Sequence, residues 1–123
     1  MNNKESTISK ITIYRLNVPL IKPYKLSYNT FHSFEPLLIQ ITDDNGKEGW
    51  GEQHISPGSS SETREGGWEF VKIISNLILN KTFLKAKDII LSHSSKSIVA
   101  SSALHTAIDM LESHDALINK DPI

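Results

Sequence analysis

The stretch Asp43–Gly58, DDNGKEGWGEQHISPG, decides how the rest of the chain is read. Its opening, Asp43-Asp44-Asn45-Gly46, is a hairpin turn, since aspartate and asparagine bond to nearby backbone and Asn-Gly reaches positive φ at little cost. Lys47 to Gln53 then returns as a strand in which Gly49 and Gly51 flank Trp50. Glycine weakens a strand interior, so two of them imply a bulge or the close approach of another backbone. With an indole between them, the strand is expected to pack against something large beside the sheet and to bury Trp50. His54 and Pro57 mark a loop beyond it.

Upstream, LLIQIT at Leu37–Thr42 sets Leu37, Ile39 and Ile41 against Leu38, Gln40 and Thr42, a period of two that reads as a second strand. Ile8 to Val18 (ISKITIYRLNV) is also β-rich but changes phase. Ile11 and Ile13 share one face while Tyr14, Leu16 and Val18 share the other, which fits a strand buried on both faces or one with a bulge. Leu20 to Phe34 (LIKPYKLSYNTFHSF) is a long connection rich in aromatics and hydroxyls, open to a structural or a contact role. Residues 1–7 are expected to be a disordered tail.

Downstream the pattern turns helical. Ser59 followed by Glu62 forms a capping box, which predicts a helix start there. Phe70, Ile73, Ile74, Leu77 and Ile78 supply one apolar stripe, and Asn80-Lys81 a stop. A second helix is expected over Leu84 to Leu91. A third starts near Ile98, with Ala100, Ala103, Leu104, Ala107, Ile108 and Leu111 on one face, small enough to let it approach a neighbour closely. The predicted class is α+β: a three-stranded antiparallel β-meander followed by a bundle of about three helices.

Composition narrows function. The 123 residues carry 13 basic and 14 acidic side chains, so no one-signed field exists to draw nucleic acid or a membrane surface. There is no cysteine, which excludes disulfides, thiolate catalysis and Cys-ligated zinc. No apolar run approaches a membrane span, and MNNKESTISK lacks a signal-peptide core, so a cytoplasmic location is expected.

Candidate chemistry is sparse. The acidic turn is not a calcium loop: the twelfth position, which must be glutamate, falls on His54 or Ile55. His32, His54, His93, His105 and His114 show no metal-ligand spacing. His93 lies in a serine-rich stretch without a third group to orient a Ser-His couple. His105 faces away from the alanines of its helix, toward solvent. His54, directly after the glycine-flanked strand, is either a surface loop histidine or part of a site.

The residues Val18–Ser27 (V-P-L-x-K-P-Y-x-L-S), the L-L-I-Q-I strand and D-x-N-G-x-x-G-W-G-E ending at Glu52 stand in a recognisable order. With the capped helix and alanine-rich helix that follow, residues 8–123 resemble the N-terminal capping domain of the enolase superfamily, in its mandelate racemase and muconate-lactonizing branch. Where that family usually has Ala-Leu-Trp-Asp in its last capping helix, this chain reads ALHTAIDMLESHDAL, without tryptophan.

The resemblance implies a following barrel domain of roughly 250 residues, which carries the catalytic lysines and three acidic ligands of an essential Mg²⁺. There a proton α to a carboxylate is removed and the enolate is held by the metal. On that basis the chain is a fragment with no catalytic residue and no metal ligand of its own. The full-length enzyme would use Mg²⁺, its partners being the barrel and a small carboxylate substrate, and family members are commonly homo-oligomers. Two loops of the capping domain close over the barrel mouth and select the substrate, here about Leu20–Phe34 and Gln53–Ser61. By position, Tyr24 is similar to the aromatic lid residue of the first loop. Asn29 stands where relatives that grip a substrate carboxylate, such as some dipeptide epimerases, place a basic residue. His54 and Ile55 correspond to the tip of the second loop. The implied function is the substrate-specificity lid of a racemase or epimerase, cycloisomerase or dehydratase, inactive alone. The alternative readings are a free-standing α+β binding module for a small ligand or protein partner, and a scaffolding domain.

Overall fold

The computed structural model describes residues 5–27, 29–55 and 61–113. Its central hairpin is built as its turn residues dictate. Gly46 takes φ 84°, the turn's one left-handed position, while Asp43 Oδ1 accepts from the Asn45 and Lys47 amides, both at 2.9 Å. The strands on either side, Leu37–Asp43 and Glu48–Gln53, pair in register from Leu37↔Gln53 to Thr42↔Glu48. Ile8–Arg15 pairs antiparallel on the other side of Leu37–Asp43, with an irregularity between Ile8 and Lys10. The register is unbroken across Ile13 and Tyr14, so the phase change there is no bulge, and Tyr14 simply faces outward, 40% exposed. Ser9 Oγ, at the irregularity, donates to the Asp43 carbonyl at 2.8 Å.

The expected long connection is itself a hairpin. Val18–Lys25 and Thr30–Phe34 form a second, two-stranded antiparallel sheet whose register also shifts between Pro19 and Tyr24. Proline cannot donate to a ladder, which confines Pro19 and Pro23 to such irregular edge strands. In chain order the strands are therefore β1 (Ile8–Arg15), β2 (Val18–Lys25), β3 (Thr30–Phe34), β4 (Leu37–Asp43) and β5 (Glu48–Gln53), with sheets β1-β4-β5 and β2-β3. The α+β class holds, but the single meander does not: a hairpin is inserted between its first two strands.

Three helices follow: α1 (Arg64–Ile78), α2 (Phe83–His93) and α3 (Ile98–Ser113). Ser59 lies outside the described residues, and the N-cap of α1 is Thr63, whose side chain accepts from the Gly66 amide. Glu62 instead accepts a hydrogen bond from Ser97 Oγ, and Ser97 caps α3 by accepting from the Ala100 amide at 3.3 Å. The buried stripe of α1 is rotated from the expected one. Phe70, Val71, Ile74 and Ile78 face the core, while Ile73 and Leu77 are 58% and 43% exposed. Asn80, at φ 66°, ends the turn after α1, and its amide donates to the Ile8 carbonyl at 2.7 Å. Thr7, within the expected tail, bridges to Thr82.

The glycines of β5 have a definite partner. A Cβ on Gly51 would lie 1.9 Å from the Ala103 carbonyl oxygen, and one on Gly49 would lie 2.0 Å from that of Ala107. Four helical residues advance about 6.0 Å, and two strand residues advance about 6.8 Å. Ala103 and Ala107 therefore keep step with Gly51 and Gly49 as α3 runs alongside β5. Helix α3 is the large neighbour that the strand required. Trp50, conversely, is not buried: it points to the outer face, 37% exposed, and stacks on Tyr14 with ring centroids 6.0 Å apart. The alternation that buries Gly49 and Gly51 places it there.

Candidate functional site

The loop segments meet at one aromatic ring. Phe34, the last residue of β3, lies edge-on to Tyr24 of β2 at 6.1 Å and to His54, just past β5, at 5.0 Å. Phe31 adds a tilted contact at 5.9 Å and is itself buried. Both hairpins thus deliver side chains to the same end of the domain. Beside this cluster, Val18, Phe34, Pro36, Glu52 and His54 line an open hollow of about 250 Å³. It has an apolar wall and two exposed polar groups, the carboxylate of Glu52 and the imidazole of His54. Hollows of about 370 and 400 Å³ lie near Asp43 and between α2 and α3, but neither gathers residues from these two loops.

The four residues singled out from the sequence are placed unequally. Tyr24 is 51% exposed and shares Phe34 with the exposed His54. Asn29 is exposed at the far end of the β2–β3 hairpin, where its Oδ1 accepts from the Thr30 amide at 2.8 Å and its carbonyl from the Leu26 amide at 2.7 Å. Ile55 differs from an exposed loop tip. It is 3% exposed and packs against Gly67 of α1, where a Cβ would meet its Cδ1 at 2.6 Å. It continues the inward positions Gly49, Gly51 and Gln53, so it fastens the segment beneath α1 while His54 turns outward.

Arg64 was not legible as part of this site. As the first residue of α1, it sends its guanidinium to Glu35 at 2.7 Å, to the Ser33 carbonyl at 3.4 Å and to the Ile55 carbonyl at 3.4 Å, over the ring of Phe31. The sequence places it only at a helix start.

Two of the remaining histidines are engaged elsewhere. His93 Nδ1 bonds to the Ile89 carbonyl at 2.8 Å and lies 3.1 Å from Ser92 Oγ, which itself donates to that carbonyl, so both side chains close the end of α2. His105 pairs with Asp109 at 2.9 Å, and His114 lies outside the described residues. Among the described residues no three His, Asp or Glu side chains converge where a metal could be held. No helix among them is long and apolar enough to cross a membrane.

No family model matches the chain. L-Ala-D/L-Glu epimerase of Bacillus subtilis is 42% identical over 45 residues, which are 37% of this chain and 12% of that enzyme. A dipeptide epimerase of Cytophaga hutchinsonii, solved with Mg and D-Ala-L-Val, superposes with a TM-score of 0.79 at 18% identity, over 89% of this chain and 31% of its own. The muconate lactonizing enzyme of Pseudomonas fluorescens gives a TM-score of 0.69 at 21% identity, over 85% of this chain and 30% of its own. These relatives and neighbours are enolase-superfamily enzymes of the mandelate racemase and muconate-lactonizing branch.

The chain shares its fold with the matched third of these enzymes, as an N-terminal capping domain of that superfamily would.

The chain spans about a third or less of each of these enzymes. Within this fold, the β2–β3 hairpin and the segment after β5 are the two elements that converge on Phe34.

Proposed function

We propose that this capping domain is the substrate-selecting lid of a Mg²⁺-dependent enolase-superfamily enzyme, a racemase or epimerase, cycloisomerase or dehydratase acting on a carboxylate. Residues 8–123 form the lid, and its partner is a barrel domain of the same enzyme in the cytoplasm. The observation that carries this reading is the convergence of Tyr24 and His54 on Phe34, from two connections that are far apart in sequence. Tyr24 offers an aromatic wall, His54 a polar edge and Asn29 an uncharged amide at the hairpin tip. Ile55 acts indirectly, by fastening the second loop under α1. In this reading the metal and the proton-abstracting base belong to the barrel, and the lid's task is recognition.

The test is a chimaera in which this domain replaces the cap of the Bacillus subtilis L-Ala-D/L-Glu epimerase. Tyr24→Ala and His54→Ala should each change the ratio of kcat/KM between substrates while leaving Mg²⁺ affinity nearly unchanged. An unaltered substrate ranking in both variants would remove the lid reading.

A further inference from the structure

We propose that Arg64 is the positioning residue that clasps the two lid segments to each other and to α1. The proposal rests on the lid reading for its purpose, although the clasp itself can be measured separately. Among the described residues the β2–β3 hairpin pairs only with itself, and no helix lies closely alongside it. Its placement relative to β5 must therefore come from side chains and from its two ends.

Arg64 is suited to that task from its backbone outward. The Thr63 cap fixes the start of α1, with the Gly66 amide 2.9 Å from Thr63 Oγ1, and Phe70, Val71, Ile74 and Ile78 fix the helix in the core. From this anchored position one guanidinium reaches three separate pieces of chain. Its Nη1 pairs with Glu35 at 2.7 Å, next to Pro36 between β3 and β4. Another nitrogen, Nη2, approaches the Ser33 carbonyl within β3, and Nε approaches the Ile55 carbonyl beyond β5, both at 3.4 Å. Its plane lies 5.8 Å from the centroid of Phe31, which in turn contacts Phe34.

The two carbonyl bonds are long and individually weak. The ion pair is not: the Arg64 and Glu35 side chains are only 18% and 31% exposed, so water and salt screen it less than a surface pair. A lysine would keep one charge for Glu35 but could not span the two carbonyls or stack on the ring. Arg15, which pairs with Glu65 at 3.0 Å and lies over Trp68, ties β1 to the same helix without touching either lid segment. It is the natural control.

The experiment is NMR on this chain, reading the ring-current shift of the His54 protons produced by Phe34 and the exchange rate of the Leu16 amide, which donates to the Pro36 carbonyl at 3.0 Å. In Arg64→Met the His54 shift should collapse toward that of a free imidazole. Leu16 exchange should quicken by about tenfold, while Ile39 and Gly51 in the central sheet keep their rates. Arg64→Lys should not restore the His54 shift, and Arg15→Met should disturb neither signal. Should Arg64→Met fail to fold, Glu35→Gln should still quicken Leu16 alone. Unchanged His54 and Leu16 signals, or acceleration by one common factor everywhere, overturn the clasp. Because the lid reading is judged by substrate ranking, the two can fail independently.

Discussion

Gly51→Ala should be among the most damaging single-methyl changes available to this domain. The added Cβ would sit 1.9 Å from the Ala103 carbonyl oxygen, a backbone atom that no rotamer change can move. Ordinary contact requires a further opening of roughly 1.5 Å between β5 and α3, and a gap of even ~1 Å forfeits up to about half of a dispersion contact. The helix that must move carries Ala100, Leu104, Ala107, Ile108 and Leu111, all less than 5% exposed. Overpacking usually costs about 1–3 kcal/mol, and a backbone clash belongs at the upper end. For a domain of this size, ~3 kcal/mol lowers the melting temperature by about 10–20 °C. Trimming Ala103 to glycine should give no rescue, because the clash is with its carbonyl rather than its methyl. Gly46→Ala is the comparison: no atom lies within 4 Å, so the cost of roughly 1 kcal/mol comes from its φ of 84° alone. Thermal melts followed by circular dichroism decide the matter. A Gly51→Ala variant melting within about 3 °C of the parent would refute the account of how α3 seats on β5.

Trp50→Ala should cost only about 1–2 kcal/mol, less than Gly51→Ala, because the half-exposed indole loses its stack on Tyr14 without leaving a closed cavity; urea titration of both variants checks the order. Ser97→Ala removes the α3 cap and the partner of Glu62 and should cost about 1 kcal/mol in the same assay. Lys87 bonds to Asp109 and Glu112, joining α2 to α3. The hydrogen bond from Lys87 holds Asp109 below its ordinary 3.8, and although partial burial pulls Lys87 down, the two carboxylates leave it above 10.5. A carboxylate lowered on folding stabilises fully above its unfolded value and loses that as pH falls through the folded one. A raised lysine stabilises fully below its unfolded value and loses that as pH rises through the folded one. Lys87→Met should therefore cost about 0.5–1 kcal/mol at neutral pH, discounted because Asp109 is half exposed, and almost nothing near about pH 2. An equal deficit at both pH values in urea titrations would contradict this. The isolated chain with Mg²⁺ should exchange no α-proton of hydroxy-acid, amino-acid or dipeptide carboxylates, as deuterium wash-in would reveal.

Much of the sheet was legible because its signals are local. Leu37, Ile39 and Ile41 alternate without exception, and Asp43–Gly46 can hardly form anything but a turn. The six apolar residues of α3 were legible for the same reason, all being buried as their spacing predicts. What failed depended on partners distant in sequence. The small face of α3 and the glycines of β5 each called for a close neighbour, and no periodicity could say that they were each other's. Trp50 was misplaced because its size outweighed the alternation around it, although that alternation also carries Ile55 inward. The β2–β3 hairpin was hidden by Pro19 and Pro23, which weaken any strand reading of Val18–Lys25. Arg64 was invisible because three of its partners, Ser33, Glu35 and Phe31, lie about thirty residues away.

The most direct test of the lid account is a ring-to-ring nuclear Overhauser measurement from Phe34 in the free chain. Centroid separations of 6.1 Å to Tyr24 and 5.0 Å to His54 bring ring protons within reach of such transfer. The account predicts cross-peaks from Phe34 to both rings in the same sample. Cross-peaks to His54 alone, with Tyr24 contacting neither, would mean that the two loops do not form one site.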